Sequence, residues 1–331
     1  MSSISSRRKF VKSSLYGLAA TSLSGIAFGH NVIGNTSFNP FSEIENSNSK
    51  DLFFKISLAQ WSLHRGLWDK SVKAEDFPAI AKEQFGINAV EYVNQFYTDR
   101  VKDEAFWNSF NQRTKDLGVS NLLIMVDDEG DLGNTNDDER RKAVENHYKW
   151  VNAAKLIGCH SIRINGFGEG SREDVGAALI DGLSSLSEYA GKSGINVLIE
   201  NHGLYSSDGK WVENVIKKVG RENCGTLPDF GNFCLSRKYG STQDGTCPEI
   251  YDRYLGVKEM MPYTKGGVSA KSYRFDEKGQ ETTIDYGKML GIVKEAGFTG
   301  YIGIEYEGSE LSEADGIIAT KKLLIAEGEK L

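Results

Sequence analysis

Apolar and polar positions alternate with two different periods along residues 51–331. Short apolar runs of strand length recur between longer stretches that have the 3.6-residue period of amphipathic helices. Strands that alternate with helices in this way build a parallel sheet. The eight candidate strands are Phe54–Trp61, Ala89–Val93, Asn121–Asp127, Ser161–Asn165, Val197–Asn201, Gly225–Phe230, Gly267–Tyr273 and Tyr301–Tyr306.

Amphipathic stretches fill the intervals between these strands. The clearest are Glu139–Leu156, Asp174–Ala190, Lys210–Val219, Tyr286–Ala296 and Glu313–Ala326. Gly118, Gly158, Gly194 and Gly297 stand where helices end, in positions suited to a left-handed residue. We therefore predict an α/β fold, a (β/α)8 TIM barrel that forms a single domain over residues 51–331. An open doubly wound sheet is the alternative, but no GxGxxG sequence follows the first strand.

The first fifty residues do not continue this alternation. Arg7 and Arg8 precede a weakly apolar run, which predicts a twin-arginine signal peptide over residues 1–30. The run is too short for a stable membrane anchor. We expect the twin-arginine export machinery to deliver the protein to the periplasm, and residues 31–50 to form a flexible tether. A disordered cytoplasmic extension is the alternative.

Composition narrows the possible partners. The 331 residues carry a formal net charge of −7 without a basic stripe, which excludes nucleic acid as a partner. The four cysteines do not form a paired CxxC zinc pattern. Cys234 and Cys247 share one loop, and an oxidising compartment would allow them to pair. Buried free cysteines are the commoner case in a large core, so we expect free thiols and leave the disulfide open.

Ionisable side chains cluster at the ends of several predicted strands. In a TIM barrel the chemistry lies at the C-terminal ends of the strands, and the two-residue period shows which side chains face inward. The inward-facing residues are Glu91 on the second strand, Arg163 and Asn165 on the fourth, Glu200 and His202 on the fifth, Asp229 after the sixth, Lys271 on the seventh, and Glu305 and Glu307 on the eighth. Such convergence is costly without a ligand, a metal or mutual pairing.

Each of these residues also has a structural explanation. A single glutamate at a strand end is often solvated or paired, as Glu91 or Glu307 would be. A hydrogen bond to a backbone carbonyl would account for His202, and a counter-charge role would account for Arg163. The prediction of a functional site therefore rests on the whole set rather than on any one residue.

Four segments carry a family resemblance. Residues 197–203, 225–233, 267–272 and 303–308 resemble the xylose isomerase-like TIM-barrel family, in particular its branch of sugar phosphate isomerases and epimerases. The family also includes ketose 3-epimerases, inosose dehydratases and an endonuclease. The resemblance spans roughly residues 53–328, and the motifs occur in the family's order.

The resemblance implies a divalent metal, Mn²⁺, Mg²⁺, Co²⁺ or Zn²⁺, held by a Glu, Asp, His, Glu set. Glu200, Asp229 and Glu305 match the three acids, whereas Ser269 stands in the position of the histidine. The second histidine of the Asp-x-x-His pattern is also absent from this sequence. Three carboxylates still suit a hard cation, although zinc loses its imidazole ligand. Lys271 provides the alternative, a permanent ammonium in the place of the cation.

The resemblance also implies a reaction. Glu200 and Glu305 would remove and return a proton next to a sugar carbonyl, and a metal or Lys271 would stabilise the enediolate. Four side chains would bind the sugar's hydroxyl groups, namely His202, Arg163, Asn165 and Glu91. Trp61 would stack on the sugar, or would instead pack in the core.

Three classes of function follow from these expectations. The first is an isomerase or epimerase that acts on a free sugar or sugar-like polyol. The second is a lyase or hydrolase of 3-keto-glycosides that uses the same enolisation. The third is a sugar-binding barrel without catalytic activity. In all three the partner is a small-molecule sugar, and the sequence leaves open whether the protein forms oligomers.

Overall fold

A computed structural model of the chain describes residues 51–331, and the predicted signal peptide and tether lie outside the described residues. Export to the periplasm therefore stays a prediction. Within residues 51–331 there are eight strands, namely β1 Lys55–Ala59, β2 Ala89–Val93, β3 Ser120–Met125, β4 Ser161–Asn165, β5 Asn196–Glu200, β6 Cys224–Leu227, β7 Gly267–Ser272 and β8 Tyr301–Tyr306. They are parallel and form one sheet in the order β6-β5-β4-β3-β2-β1-β8-β7.

The two ends of this sheet meet just beyond β6. Asp229 and Ser269 form an isolated parallel bridge. The Ser269 N–H donates to the Pro228 carbonyl, and the Phe230 N–H donates to the Ser269 carbonyl. This confirms the predicted (β/α)8 TIM barrel. The sixth strand ends at Leu227 rather than at the predicted Phe230, because Pro228 lacks the N–H that a further ladder bond requires.

Helices surround the strands, and the predicted ones are confirmed with small differences at their ends. The α-helices are α1 His64–Trp68, α2 Phe77–Phe85, α3 Glu104–Leu117, α4 Asp137–Ile157, α5 Arg172–Gly191, α6 Gly209–Val219, α7 Arg253–Met260, α8 Tyr286–Glu295 and α9 Glu313–Gly328. Short 3-10 helices cover Gln60–Leu63, Ala74–Asp76, Asn94–Tyr97, Leu204–Ser207 and Met261–Tyr263. Gly118 and Gly158 end α3 and α4 in the left-handed region, with φ of 65° and 85°.

The apolar core lies between the strands and the helices. Ile162 and Ile164 on β4 and Ile302 and Ile304 on β8 face the helices and are fully buried. The alternate residues of the same strands therefore face the barrel interior, as the two-residue period predicts. Among the described residues, no helix combines the length and apolarity needed to cross a membrane.

Cys234 and Cys247 form a disulfide across the base of the loop after β6, so the expectation of free thiols was wrong for this pair. Their Cα atoms lie 5.8 Å apart because the chain doubles back, with Cys234 bridged to Ile250. Cys159 and Cys224 are buried free cysteines, as expected. The disulfide matters for the site because the loop it closes carries residues that line the central cavity.

Candidate active site

A cavity of about 390 Å³ opens at the C-terminal ends of the strands. This volume falls in the usual range for small-molecule sites, about 300–1,000 Å³. Among the predicted residues, Trp61, Arg163, His202 and Glu305 line it, together with Glu307. Further lining residues were not predicted from the sequence, namely His64, Val93, Gln95, Asp127, Tyr239, Ser241 and Gln243.

Three predicted carboxylates come together beside this cavity. Glu200, Asp229 and Glu305 are buried, and each offers an oxygen within 4.8 Å of the others. Glu305 reaches the cavity wall, whereas Glu200 and Asp229 are 1% and 0% exposed and lie outside the lining. The backbone N–H groups of Gly231 and Asn232 both donate to Asp229 Oδ1, at 2.8 Å each. The loop after β6 thus fixes Asp229 in place.

Ser269, on β7, joins two of these carboxylates. Its Oγ lies 2.6 Å from Asp229 Oδ2 and 2.7 Å from Glu305 Oε2. A hydroxyl carries one hydrogen and donates to one acceptor at a time. Both contacts are therefore satisfied together when one carboxyl is protonated. Asp229 suits that state, because burial, opposed by Lys271, raises its pKa to about 8.

Lys271 is fully buried on β7 among acidic groups. Its Nζ lies 2.9 Å from Glu305 Oε1, 3.1 Å from Glu307 Oε1 and 3.9 Å from Asp229 Oδ2. Burial opposes the charge of the ammonium, but Glu305, Glu307 and Asp229 outweigh burial and raise the pKa of Lys271. The side chain therefore places a permanent positive charge at the carboxylates.

Arg163 organises the opposite side of the site. Its Nη1 donates to Asp127 Oδ1 at 2.8 Å, and its Nε lies 2.7 Å from Glu200 Oε2. Asn165 Nδ2 also donates to Asp127 Oδ1, at 2.6 Å, and Asn165 lines a smaller cavity next to the central one. Because Asn165 Oδ1 is an acceptor, His202 Nδ1 donates to it at 2.6 Å, which leaves His202 Nε2 as an acceptor.

The two glutamates of the predicted acid/base pair have opposite pKa shifts. Burial, opposed by Arg163, raises the pKa of Glu200 to about 7. Burial also opposes ionisation of Glu305, but Lys271 and Ser269 outweigh it and hold the pKa of Glu305 below its usual value. Burial and Arg163 lower the pKa of His202 to about 4, so its imidazole is neutral at pH 7. Carboxyl groups whose pKa values are pushed apart can divide the acid and base roles.

Aromatic rings form part of the cavity wall. Trp61 stacks on His64 with ring centroids 4.9 Å apart, and both line the cavity. Tyr239, from the loop that the disulfide closes, meets the His202 ring edge to face at 5.3 Å. The cavity wall therefore combines the apolar faces of these rings with the charged side chains of Arg163 and Glu305.

Glu91 does not take the predicted place at the cavity. It is 1% exposed and lies outside the cavity lining, where Ser57 Oγ donates to its Oε1 at 2.6 Å. A Cβ at Gly303 would stand 2.5 Å from the same oxygen, so the glycine of β8 makes room for the carboxyl. Burial raises the pKa of Glu91 from 4.5 to about 7. The side chain thus ends inside the barrel and outside the cavity lining, and substrate binding by Glu91 stays a prediction.

Replacing Glu91 by Gln should remove the loss of folding stability that an ionised, buried carboxylate causes at high pH. A carboxyl with a raised folded-state pKa stabilises the fold below pH 4.5 and loses that contribution as the pH rises through about 7. A shift of this size corresponds to about 3 kcal/mol. The change in the free energy of unfolding caused by Glu91→Gln should therefore be more favourable at pH 8 than at pH 4 by about that amount. Denaturant unfolding at both pH values measures it.

The exposed Glu310 provides the matched control for this substitution. Glu310→Gln should change the free energy of unfolding by less than about 0.5 kcal/mol at either pH. An effect of Glu91→Gln that is the same at pH 4 and pH 8 would contradict the raised pKa.

Comparison with known proteins shows the family to which this barrel belongs. The model of the family described as xylose isomerase-like TIM barrel matches residues 79–326. The chain belongs to this family. Most of the barrel and all three clustered carboxylates fall within the matched residues. No curated protein matches the chain in a sequence search.

Solved structures of similar fold agree with the family. A crystal structure of IolI protein with a bound zinc atom superposes with a TM-score of 0.65 at 13% identity, covering 84% of this chain and 99% of that one. L-ribulose 3-epimerase gives 0.62 at 14% identity, with 84% and 95% covered. The probable 3-DHS dehydratase AsbF from Bacillus anthracis gives 0.58 at 14% identity, with 82% and 98% covered. At these identities the likeness establishes the fold.

The residues of the xylose isomerase-like site are compatible with a divalent cation. Glu200, Asp229 and Glu305 supply hard carboxylate oxygens close enough to share one ion. Ser269 replaces the imidazole that zinc favours, so the donor set suits an oxygen-preferring ion better. Lys271 already donates to one of these carboxylates.

Proposed function

We propose that the protein is a sugar isomerase or epimerase that moves a proton at a carbon next to a carbonyl group. The observation that carries this proposal is the position of Glu305 at the cavity wall, with Lys271 Nζ 2.9 Å behind it. A proton acceptor and a fixed cation at one point are what formation of an enediolate requires. Membership of the xylose isomerase-like family supports the same class of reaction.

The acid and base roles follow from the surroundings of the two glutamates. Glu305 is held ionised by Lys271 and faces the cavity, so it removes the proton from carbon. Glu200, whose pKa is raised to about 7, holds a proton near neutral pH and returns it. The Lys271 ammonium beside Glu305 supplies positive charge to the developing oxyanion. Assistance by a divalent cation stays a prediction.

The rest of the cavity would orient a sugar. Arg163 and His202 present a donor and an acceptor for hydroxyl groups, and Asp127 adds a second acceptor. Trp61 offers a ring face on which the C–H groups of a sugar can stack. Hydrogen-bonding groups that line the same cavity as an aromatic ring favour a small polyhydroxylated substrate.

Elimination from a 3-keto-glycoside is the second candidate. The specific observation is a polar cavity of about 170 Å³ that adjoins the central one and shares Tyr239 with it. A group linked to the sugar ring could extend into this space and leave after enolisation. Both candidates begin with the same proton transfer, and they differ in whether a C–O bond then breaks.

Proton NMR in deuterated water tests the proposal on a panel of ketoses and 3-keto-glycosides. The proposal predicts deuterium at the carbon next to the carbonyl and an epimer or isomer as the product. Release of the aglycone with an unsaturated sugar would establish the elimination instead. Tight sugar binding without exchange at any carbon would contradict both and favour a binding protein.

A further inference from the structure

The three clustered carboxylates are already fully engaged by the protein. Every one of their six oxygens has a partner in hydrogen-bonding or ion-pairing distance. The two oxygens of Glu200 contact Asn232 Nδ2 and Arg163 Nε. Those of Asp229 contact the N–H groups of Gly231 and Asn232 and the hydroxyl of Ser269. Those of Glu305 contact Lys271 Nζ and Ser269 Oγ. A divalent ion would have to displace some of these partners.

The backbone is shaped to admit the lysine that makes one of these contacts. Gly231 stands beside the Lys271 stem, and a Cβ at position 231 would lie 2.6 Å from Lys271 Cγ. The same Cβ would lie 2.4 Å from the Tyr273 hydroxyl oxygen. Glycine at position 231 therefore gives the buried lysine a path to the carboxylates. Lys271 is built into the site rather than folded over it from the surface.

The position of the ammonium overlaps that of a bound cation. Nζ lies 2.9 Å from Glu305 Oε1 and 3.9 Å from Asp229 Oδ2, two of the three carboxylates that would hold an ion. An ion bound to the same carboxylates at about 2.0–2.6 Å would lie close to Nζ. Two buried like charges at that separation repel strongly, because little water screens them.

We propose that the Lys271 ammonium takes the place of the divalent cation in this protein, and that a divalent ion binds tightly only when this ammonium is removed. This inference concerns the site of the proposed function and rests on that function, in which a positive charge stabilises the developing oxyanion. Its test measures ion binding, so it can fail while proton transfer is found, or succeed while proton transfer is absent.

Isothermal titration with Mn²⁺ tests this on the EDTA-treated full chain. Lys271→Met should bind Mn²⁺ at least about 100-fold more tightly than the unmodified protein, a difference within the usual range of coupling between two bound groups. Lys271→Arg keeps the positive charge and should bind as weakly as the unmodified protein. Adding Glu305→Gln to Lys271→Met removes one ligand and should abolish the gain.

Two results would overturn the proposal. One is Mn²⁺ binding by the unmodified protein as tight as that of Lys271→Met, and the other is a folded Lys271→Met variant that does not bind Mn²⁺. Loss of the buried cation could unfold that variant, so Lys271→Gln, which keeps a donor for Glu305, is measured in parallel. Mn²⁺ should raise the melting temperature of Lys271→Gln and leave that of the unmodified protein unchanged. Equal shifts for the two would also refute the proposal.

Discussion

Replacing Glu305 by Gln is expected to slow carbon–hydrogen exchange by at least about 10²-fold, because a general base typically contributes about 10²–10⁴-fold. Gln keeps the size of the side chain and an oxygen for Lys271, whose Nζ donates to Glu305 Oε1 at 2.9 Å. It cannot accept the proton from carbon. Exchange rates in deuterated water, with circular dichroism as the check on folding, measure the effect.

Glu200→Gln should produce a loss of similar size if Glu200 returns the proton. The matched control is Glu310→Gln, since Glu310 is exposed on the loop that follows β8 and pairs with Arg274. That control should exchange at the rate of the unmodified protein. Unchanged exchange in both Glu200→Gln and Glu305→Gln would remove the proposed acid/base pair and leave the passive sugar-binding barrel as the better explanation.

Replacing Arg163 by Met is expected to lower the free energy of unfolding by about 3–5 kcal/mol at pH 8, the usual cost of breaking a buried ion pair from one side. Arg163 is 3% exposed and balances both Asp127 and Glu200. Without it these two buried carboxylates lose their shared counter-charge. The loss should be smaller at pH 5, where protonation can neutralise them. Denaturant unfolding at the two pH values provides the measurement.

Arg141 supplies the control for that experiment. It pairs with Asp138 on the exposed side of α4, with 70% of its side chain accessible. Arg141→Met should change the free energy of unfolding by less than about 1 kcal/mol, because exposed ion pairs contribute little. An equal loss for Arg141→Met and Arg163→Met would show that the buried network has no special role.

The strand and helix pattern predicted the barrel because local signals and the fold agree in this chain. On β4 the two-residue period placed Ile162 and Ile164 against the helices and Arg163 toward the interior, where the structure has them. The same reasoning placed Glu200 and Lys271 inward. A facing direction is a local property, since each residue's side follows from its neighbours along the strand.

How deep an inward-facing side chain lies within the barrel could not be predicted in the same way. Glu91 and Glu305 both face inward, but Glu305 reaches the cavity while Glu91 ends beside Ser57 and Gly303. That difference depends on the stagger between strands, which pairing fixes over long sequence distances. Asp127 lies just beyond β3 at the cavity, and its place at the end of a predicted strand was the signal that could have found it.

The conformation of the long loop after β6 could not be predicted from the sequence either. Tyr239 and Ser241 reach the cavity wall because the Cys234–Cys247 disulfide and the bridge between Gly203 and Lys238 fold the loop back over the mouth. Neither contact has a periodic signature. The choice between Lys271 and a metal likewise depends on distances between three strands, which motifs alone do not supply.

Proton transfer by Glu305 is tested most directly by hydrogen–deuterium exchange at the carbon next to the carbonyl of a bound sugar, followed by proton NMR for the unmodified protein and Glu305→Gln. We predict exchange by the unmodified protein that depends on enzyme concentration, and a loss of at least about 10²-fold in the variant. Sugar binding by both proteins with no exchange above the uncatalysed rate in either would contradict it.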